Sequence, residues 1–231
     1  MLFFRTTCLF LALILSLSGC MGGARDIPRD HYYRLPAVTP VSPLGTPLIP
    51  GTLGISEVQT SGMLHERAIL FVREQQPLEV SPYYYYYWVN APASLVQRHL
   101  LDYLHQKNLA RDSYRYRSDT PADFSLETRL LQFERYIRKD SAEARVTLEL
   151  VLRDNHRKRI LLRKRYQQNI KAKSLDMADT ARAFGKALSV IYKQFARDVA
   201  ALKMQITNTG QEQTNAGMLG GAKSGRETRQ P

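Results

Sequence analysis

The clearest pattern in the chain is an alternation. In residues 144–153, Val146, Leu148, Leu150 and Leu152 hold one phase, and Arg145, Thr147, Glu149 and Arg153 hold the other. A period of two is that of a half-buried β-strand. Asp154-Asn155-His156-Arg157 follows as a turn, and residues 158–170 return as an antiparallel partner. Upstream, residues 124–137 predict a long strand in which Phe124, Leu126 and Leu130 share one phase, then Leu131 and Phe133 take the other. Such a change reads either as a bulge near Leu130 or as a strand buried on both faces. Residues 67–73 form an apolar run closed by charge, Gln75-Gln76-Pro77 a turn, and residues 78–89 the other arm of a hairpin. Shorter strands are predicted at 32–35 and 53–58, and prolines at 36, 40, 43, 47 and 50 keep 36–50 an extended loop.

A helical period appears twice. Val96, Leu100 and Leu104 lie four apart, with Leu101 and Tyr103 widening the stripe. Pro92 opens this helix, Asn90 is the expected N-cap, and Asn108 suits a left-handed end. The second helix follows Ser174, read as its cap. Ala181, Phe184, Leu188, Ile191, Phe195, Val199 and Leu202 recur at gaps of three and four. From 205 to 231 apolar residues thin out, and a disordered tail is expected. This order predicts an α+β fold: a single domain at 32–204, with a mostly antiparallel sheet and two main helices packed on one face. The sheet's other face must then be solvated or meet a partner.

The N-terminus carries a different kind of signal. Arg5 precedes an apolar run at 9–17 that is too short to span a bilayer, and Leu17-Ser18-Gly19-Cys20 closes it. This tetrapeptide resembles the bacterial lipobox, in which the cysteine thiol is acylated and the chain is cut just before it. The alternative is an ordinary secretory signal that happens to contain a cysteine. On the lipobox reading, residues 1–19 are a signal peptide, Cys20 is the lipidated residue, and 20–31 form a tether whose residues 21–31 reach at most about 35 Å. The residue after Cys20 is Met21 rather than aspartate, which by resemblance to Gram-negative lipoproteins favours the outer membrane.

Composition narrows the chemistry. Cys8 lies in the removed segment and Cys20 carries lipid, so no disulfide, zinc cluster or thiol chemistry is expected. About 175 residues remain, enough for one well-buried core. The formal charge of +12 falls to +11 without Arg5. That balance fits either a well-solvated surface or contact with phospholipid head groups, lipopolysaccharide or an acidic partner. Nucleic acid is not expected as a partner of an exported lipoprotein.

No nucleophile elbow, zinc-protease helix, phosphate loop or dinucleotide fingerprint is present. His99 and His105, six apart on the first helix, fall on different sides and out of ligand register. No catalytic residue, metal site or cofactor is predicted, and the chain is not expected to be an enzyme. Two other clusters stand out. Tyr83, Tyr84, Tyr85, Tyr86, Tyr87 and Trp88 would face both ways from a strand, filling core and covering the sheet, or presenting their outward set to a partner. Arg157, Lys158, Arg159, Arg163, Lys164 and Arg165 crowd one turn and its return strand. They serve either as a solvated, edge-protecting face or as a contact for an anionic surface.

In order, then, the chain shows a lipobox, Tyr32-Tyr33-Arg34-Leu35-Pro36, an apolar strand, and an aromatic strand ending Tyr86-Tyr87-Trp88-Val89-Asn90-Ala91-Pro92. A helix and a closing antiparallel set follow. This combination resembles the ABC-type transport auxiliary lipoprotein family, which includes the paraquat-inducible protein C lipoproteins. The resemblance implies a lipid-anchored protein on the periplasmic face of the outer membrane. It would dock an MCE-domain partner of an ABC-type system moving phospholipid between membranes, often as a homo-oligomer. From the residues alone, a second reading stays open: an envelope-biogenesis lipoprotein that binds lipopolysaccharide or peptidoglycan through the basic hairpin.

Overall fold

The computed structural model describes residues 28–38, 41–116 and 120–221, with side chains as far as Leu202. Cys20, the signal segment, most of the tether and residues 222–231 lie outside the described residues. Among the described residues, eight strands and two helices follow in the order β1 (His31–Tyr33), β2 (Ile49–Ile55), a 3₁₀ turn (Gly62–His65), β3 (Ala68–Arg73), β4 (Gln76–Trp88), α1 (Pro92–Lys107), β5 (Ala110–Arg115), β6 (Phe124–Arg138), β7 (Ser141–Asp154), β8 (Arg159–Lys171) and α2 (Met177–Gly221). The result is the expected α+β domain.

The sheet forks at β6. One edge of β6 pairs antiparallel with β7 along its whole length, and β7 pairs antiparallel with β8. The other edge takes two strands in succession, both parallel: β2 at residues 124–126 and β3 at 134–137. β5 adds to β2, while β4 and then β1 add to β3. The phase change at Leu130 is a bulge, since the β6–β7 register slips between Leu130 and Gln132 and leaves Leu131 partly exposed.

The alternation of β7 places Val146, Leu148 and Leu150 on the helix side, where none is accessible. α2 lays Phe184, Leu188, Ile191 and Phe195 against them, each fully buried. Trp88 closes this core, its ring 5.4 Å from Phe133 and 5.3 Å from Phe184. α1 joins through Tyr103, whose ring lies 5.3 Å from that of Tyr192 on α2. Each such side chain contributes roughly 1.5–3 kcal/mol by leaving water.

The opposite face of β6–β8 is ionic. Glu143 pairs with Arg138 at 3.0 Å and Arg145 at 2.8 Å, Arg153 with Glu127 at 2.7 Å, and Arg129 with Glu149 at 3.7 Å. Exposed pairs add little stability, at most about 1 kcal/mol each. Their effect is to give that face a charged, self-neutralising cover.

Several local expectations are corrected. β5 was not anticipated, because Arg111, Asp112 and Arg115 mask its two inward residues, Ala110 and Ser113. The β3–β4 turn is Glu74-Gln75, and Pro77 lies within β4. Asn90 is not the cap of α1; Ala91 is, because Pro92 occupies the first helical position. Asp176, not Ser174, caps α2, its Oδ1 accepting the Ala178 N–H at 3.1 Å. The backbone of α2 also runs on to Gly221 with no break at 205, where the disordered tail was expected to begin. Residues 205–221 hold no proline, so their low apolar content removes packing without forbidding a helix.

Pro36 rests on α2 where Gly185 leaves room. A Cβ at 185 would lie 2.4 Å from Pro36 Cγ and 2.8 Å from Cδ. Gly185→Ala should therefore destabilise by about 1–3 kcal/mol despite the better helix propensity of alanine. Urea unfolding measures this, and adding Pro36→Ala should restore most of the loss.

Candidate functional site

The aromatic run of β4 does not simply alternate. Ala68 pairs with Tyr87 and Leu70 with Pro82, so two steps along β3 span five along β4. The surplus residues bulge, and the neighbours Tyr84 and Tyr85 both reach solvent, at 81% and 42% exposed. Tyr83 and Tyr86 turn inward and pack edge to face at 5.3 Å, with Tyr83 also 4.4 Å from Phe71. Tyr86 stacks on His31 at 5.3 Å and Tyr87 on Tyr32 at 5.7 Å, so β1 is held by rings as well as by backbone. Trp88, read beforehand as a contact residue, is 1% exposed and belongs to the core.

β1 covers only residues 86–88 of β4's outer edge, and the stretch before it has no strand partner there among the described residues. That stretch carries Leu78, 97% exposed, and Val80 ahead of the two tyrosines. Pro77 and Pro82 interrupt its row of N–H donors. Beside it lies a shallow hollow of about 390 Å³, lined in part by Met63, Arg67, Tyr83, Tyr84 and Tyr87. An apolar ridge with phenolic hydroxyls next to a hollow is suited to binding another molecule.

The six basic residues of the β7–β8 hairpin do not form one patch. Strand alternation sends Arg163 and Arg165 to the ionic face, opposite Val151 and Glu149, with Arg165 3.9 Å from Glu149. Lys164 points to the helix side, where its Nζ meets Asp198 of α2 at 2.9 Å. The Tyr166 hydroxyl donates to the same Asp198 oxygen at 2.7 Å. Arg157 folds back on Asp154, donating from its backbone N–H at 2.9 Å and from Nη1 at 3.0 Å. Lys158 sits in the turn itself with a positive φ of 52°. Arg159 adds its charge to Asp154 as well, helping to hold that carboxyl below its ordinary range. The period-two rule, applied to β8, separates Lys164 from its neighbours in the same way.

Two polar features escaped the sequence reading. Asp123 accepts hydrogen bonds from the Thr52 N–H at 2.8 Å and Thr52 Oγ1 at 2.9 Å, and meets His156 Nε2 at 2.8 Å. His156 and Thr52 hold its carboxyl well below the usual carboxylate range. Gly51 is required beside it, since a Cβ there would lie 2.5 Å from Asp123 Oδ2. This clasp joins β2 to the β7–β8 turn, and His156 hydrogen-bonds to no serine or cysteine among the described residues. The second feature is His99, 5% exposed on α1, with neither ring nitrogen in a hydrogen bond of good geometry. Burial pushes it down to about 4, against the opposing pull of Asp102 and the Pro36 carbonyl.

Solved proteins share this α+β fold. A Xanthomonas campestris protein of the DUF330 family aligns with a TM-score of 0.66 at 16% identity, covering 77% of this chain and 99% of its own. An uncharacterized protein aligns with a TM-score of 0.58 at 11% identity, covering 74% of this chain and 99% of its own. At such identities the likeness establishes the fold alone. No curated protein matches the chain in sequence. Residues 33–200 match the model of the ABC-type transport auxiliary lipoprotein component, and the chain belongs to that family. The family resemblance read from the lipobox and the aromatic strand is therefore borne out. No helix among the described residues is long and apolar enough to cross a membrane.

His99 gives the stability of the fold a pH dependence. Its folded pKa of about 4 lies below the ordinary value of 6.5, so the fold favours the neutral ring. Stability on this account is whole above pH 6.5, declines as pH falls from there, and levels off below about 4, with a loss on the order of 3 kcal/mol. His99→Leu should flatten this window, read as urea midpoints at pH 7.5 and 4.5.

Proposed function

We propose that this chain is an outer-membrane lipoprotein of an MCE-type, ABC-driven lipid transport system, docking the transport machinery from the periplasmic face. Cys20 is its anchor, residues 21–31 are its tether, and it acts by binding rather than by catalysis. The observation that carries this reading is the ridge of Leu78, Val80, Tyr84 and Tyr85 on the outer edge of β4, in a family whose members serve ABC-type transporters. Buried apolar anchors with hydroxyl groups are what protein interfaces reuse most. An MCE-domain protein is the proposed partner, and a second copy of this chain is the competing occupant of the ridge. The lipopolysaccharide or peptidoglycan reading needs a contiguous basic face, and β8 divides that face between its two sides.

The tagged, lipidated chain should co-purify with permease, ATPase and MCE-domain components. Leu78→Asp with Tyr84→Ala and Tyr85→Ala should cut that recovery at least tenfold while leaving the unfolding midpoint within a few degrees. Trp88→Ala should instead cost about 3–5 kcal/mol of stability. Full recovery with the ridge variant would refute the docking role. Cys20→Ala should move the chain from the outer-membrane fraction to the soluble periplasmic one.

A further inference from the structure

We propose a second binding site: a slot between α2 and the start of β8 that takes one acyl chain of an anionic phospholipid, with the phosphate at Arg157 and Arg159. The slot has a volume of about 300 Å³, at the lower end for small-molecule sites. Its walls are apolar: Leu48, Ile49, Phe124, Leu161, Val199 and Leu202. The polar groups of its lining are Asp154, Arg157 and Arg159. Asp154 is 2% exposed and already satisfied by the Arg157 backbone and guanidinium. That leaves one net positive charge in the lining, shared by Arg157 and Arg159 around the single carboxylate.

An apolar slot alone does not name its occupant; the net positive charge in its lining does. A neutral chain would leave that net charge unanswered, and a cationic one would be repelled. The chain's own segment 222–231 carries Lys223, Arg226 and Arg229 against Glu227 and has few apolar residues, so it has the wrong charge and the wrong surface. An anionic head on a hydrocarbon tail matches both parts. Each buried methylene contributes about 0.8 kcal/mol, and a phosphate accepts charge-assisted hydrogen bonds from guanidinium groups. The choice of a phospholipid rests on the lipid-transport reading above as well as on this charge. The slot also explains the divided hairpin: Arg157 and Arg159 line it, whereas Arg163 and Arg165 belong to the ionic face.

The test uses the full lipidated chain reconstituted in phosphatidylcholine vesicles containing phosphatidylglycerol with a diazirine-bearing acyl chain. Photolabelling should map to residues 48–50, 159–161 and 199–202. Dodecyl phosphate should compete, and inorganic phosphate and dodecyl maltoside should not. Arg159→Gln should lower labelling about tenfold, the loss of one charge-assisted hydrogen bond, and Leu161→Trp should abolish it by filling the slot. Arg163→Gln, on the other face, should leave labelling unchanged. Labelling spread over the surface, competition by phosphate ion alone, or equal labelling of the Arg159 and Leu161 variants would overturn the inference. The same variants are carried through co-purification with the transporter. Failed labelling with intact co-purification removes the slot and leaves the transport reading; labelling without co-purification does the reverse.

Discussion

The backbone hydrogen bonds of β6 are divided among three neighbours, and that division governs the domain. β7 occupies one edge from end to end, while β2 and β3 share the other, one near each end. A strand with neighbours on both edges is committed to the sheet interior, where each unpaired amide or carbonyl would cost free energy. The gap between β2 and β3 is bridged where Gln59 meets Arg129, and the Leu130 carbonyl accepts from Thr60 Oγ1 at 3.3 Å. Two branches therefore diverge from one axis. The β3 branch carries the aromatic ridge, and the β2 branch, with the β7–β8 turn, carries the slot.

The two faces of the sheet then decide where binding can occur. The helix side is closed by the Trp88–Phe133–Phe184 cluster and the apolar stripe of α2. The other side of β6–β8 is covered by arginine and glutamate that satisfy one another. Neither broad face offers an apolar surface. What remains is at the margins: an edge strand at one end, a slot beside the last turns of α2 at the other. Among the described residues, the surfaces open to another molecule thus lie at the borders of the fold.

Much of this was legible in the chain. The period-two run of β7, the heptad-like gaps of α2 and the phase slip at Leu130 each reported a local fact, and each appears in the structure. What escaped were features set by distant partners. β5 is a polar edge strand recognisable only by its pairing with β2. The Asp123 clasp joins residues 71 apart in sequence. The aromatic run is the instructive case. Alternation expects Tyr84 and Tyr85 on opposite faces, but the slipped register between β3 and β4 puts both in water and sends Trp88 into the core. Similarly, six basic residues adjacent in sequence are scattered because a strand turns each successive side chain to the other side.

The first strand also has a mechanical meaning. The chain enters the domain at His31, and β1 is only three residues long, bonded to β4 and followed at once by the Val89 N–H donating to the Tyr33 carbonyl at 2.8 Å. Behind it, Pro36 is seated against Gly185 of α2. A pull on the leading segment is therefore met in series, by a short strand that can peel and then by a proline wedged on a helix that spans the core. Load applied ahead of His31 would reach the three-residue pairing of β1 before the Pro36–Gly185 contact.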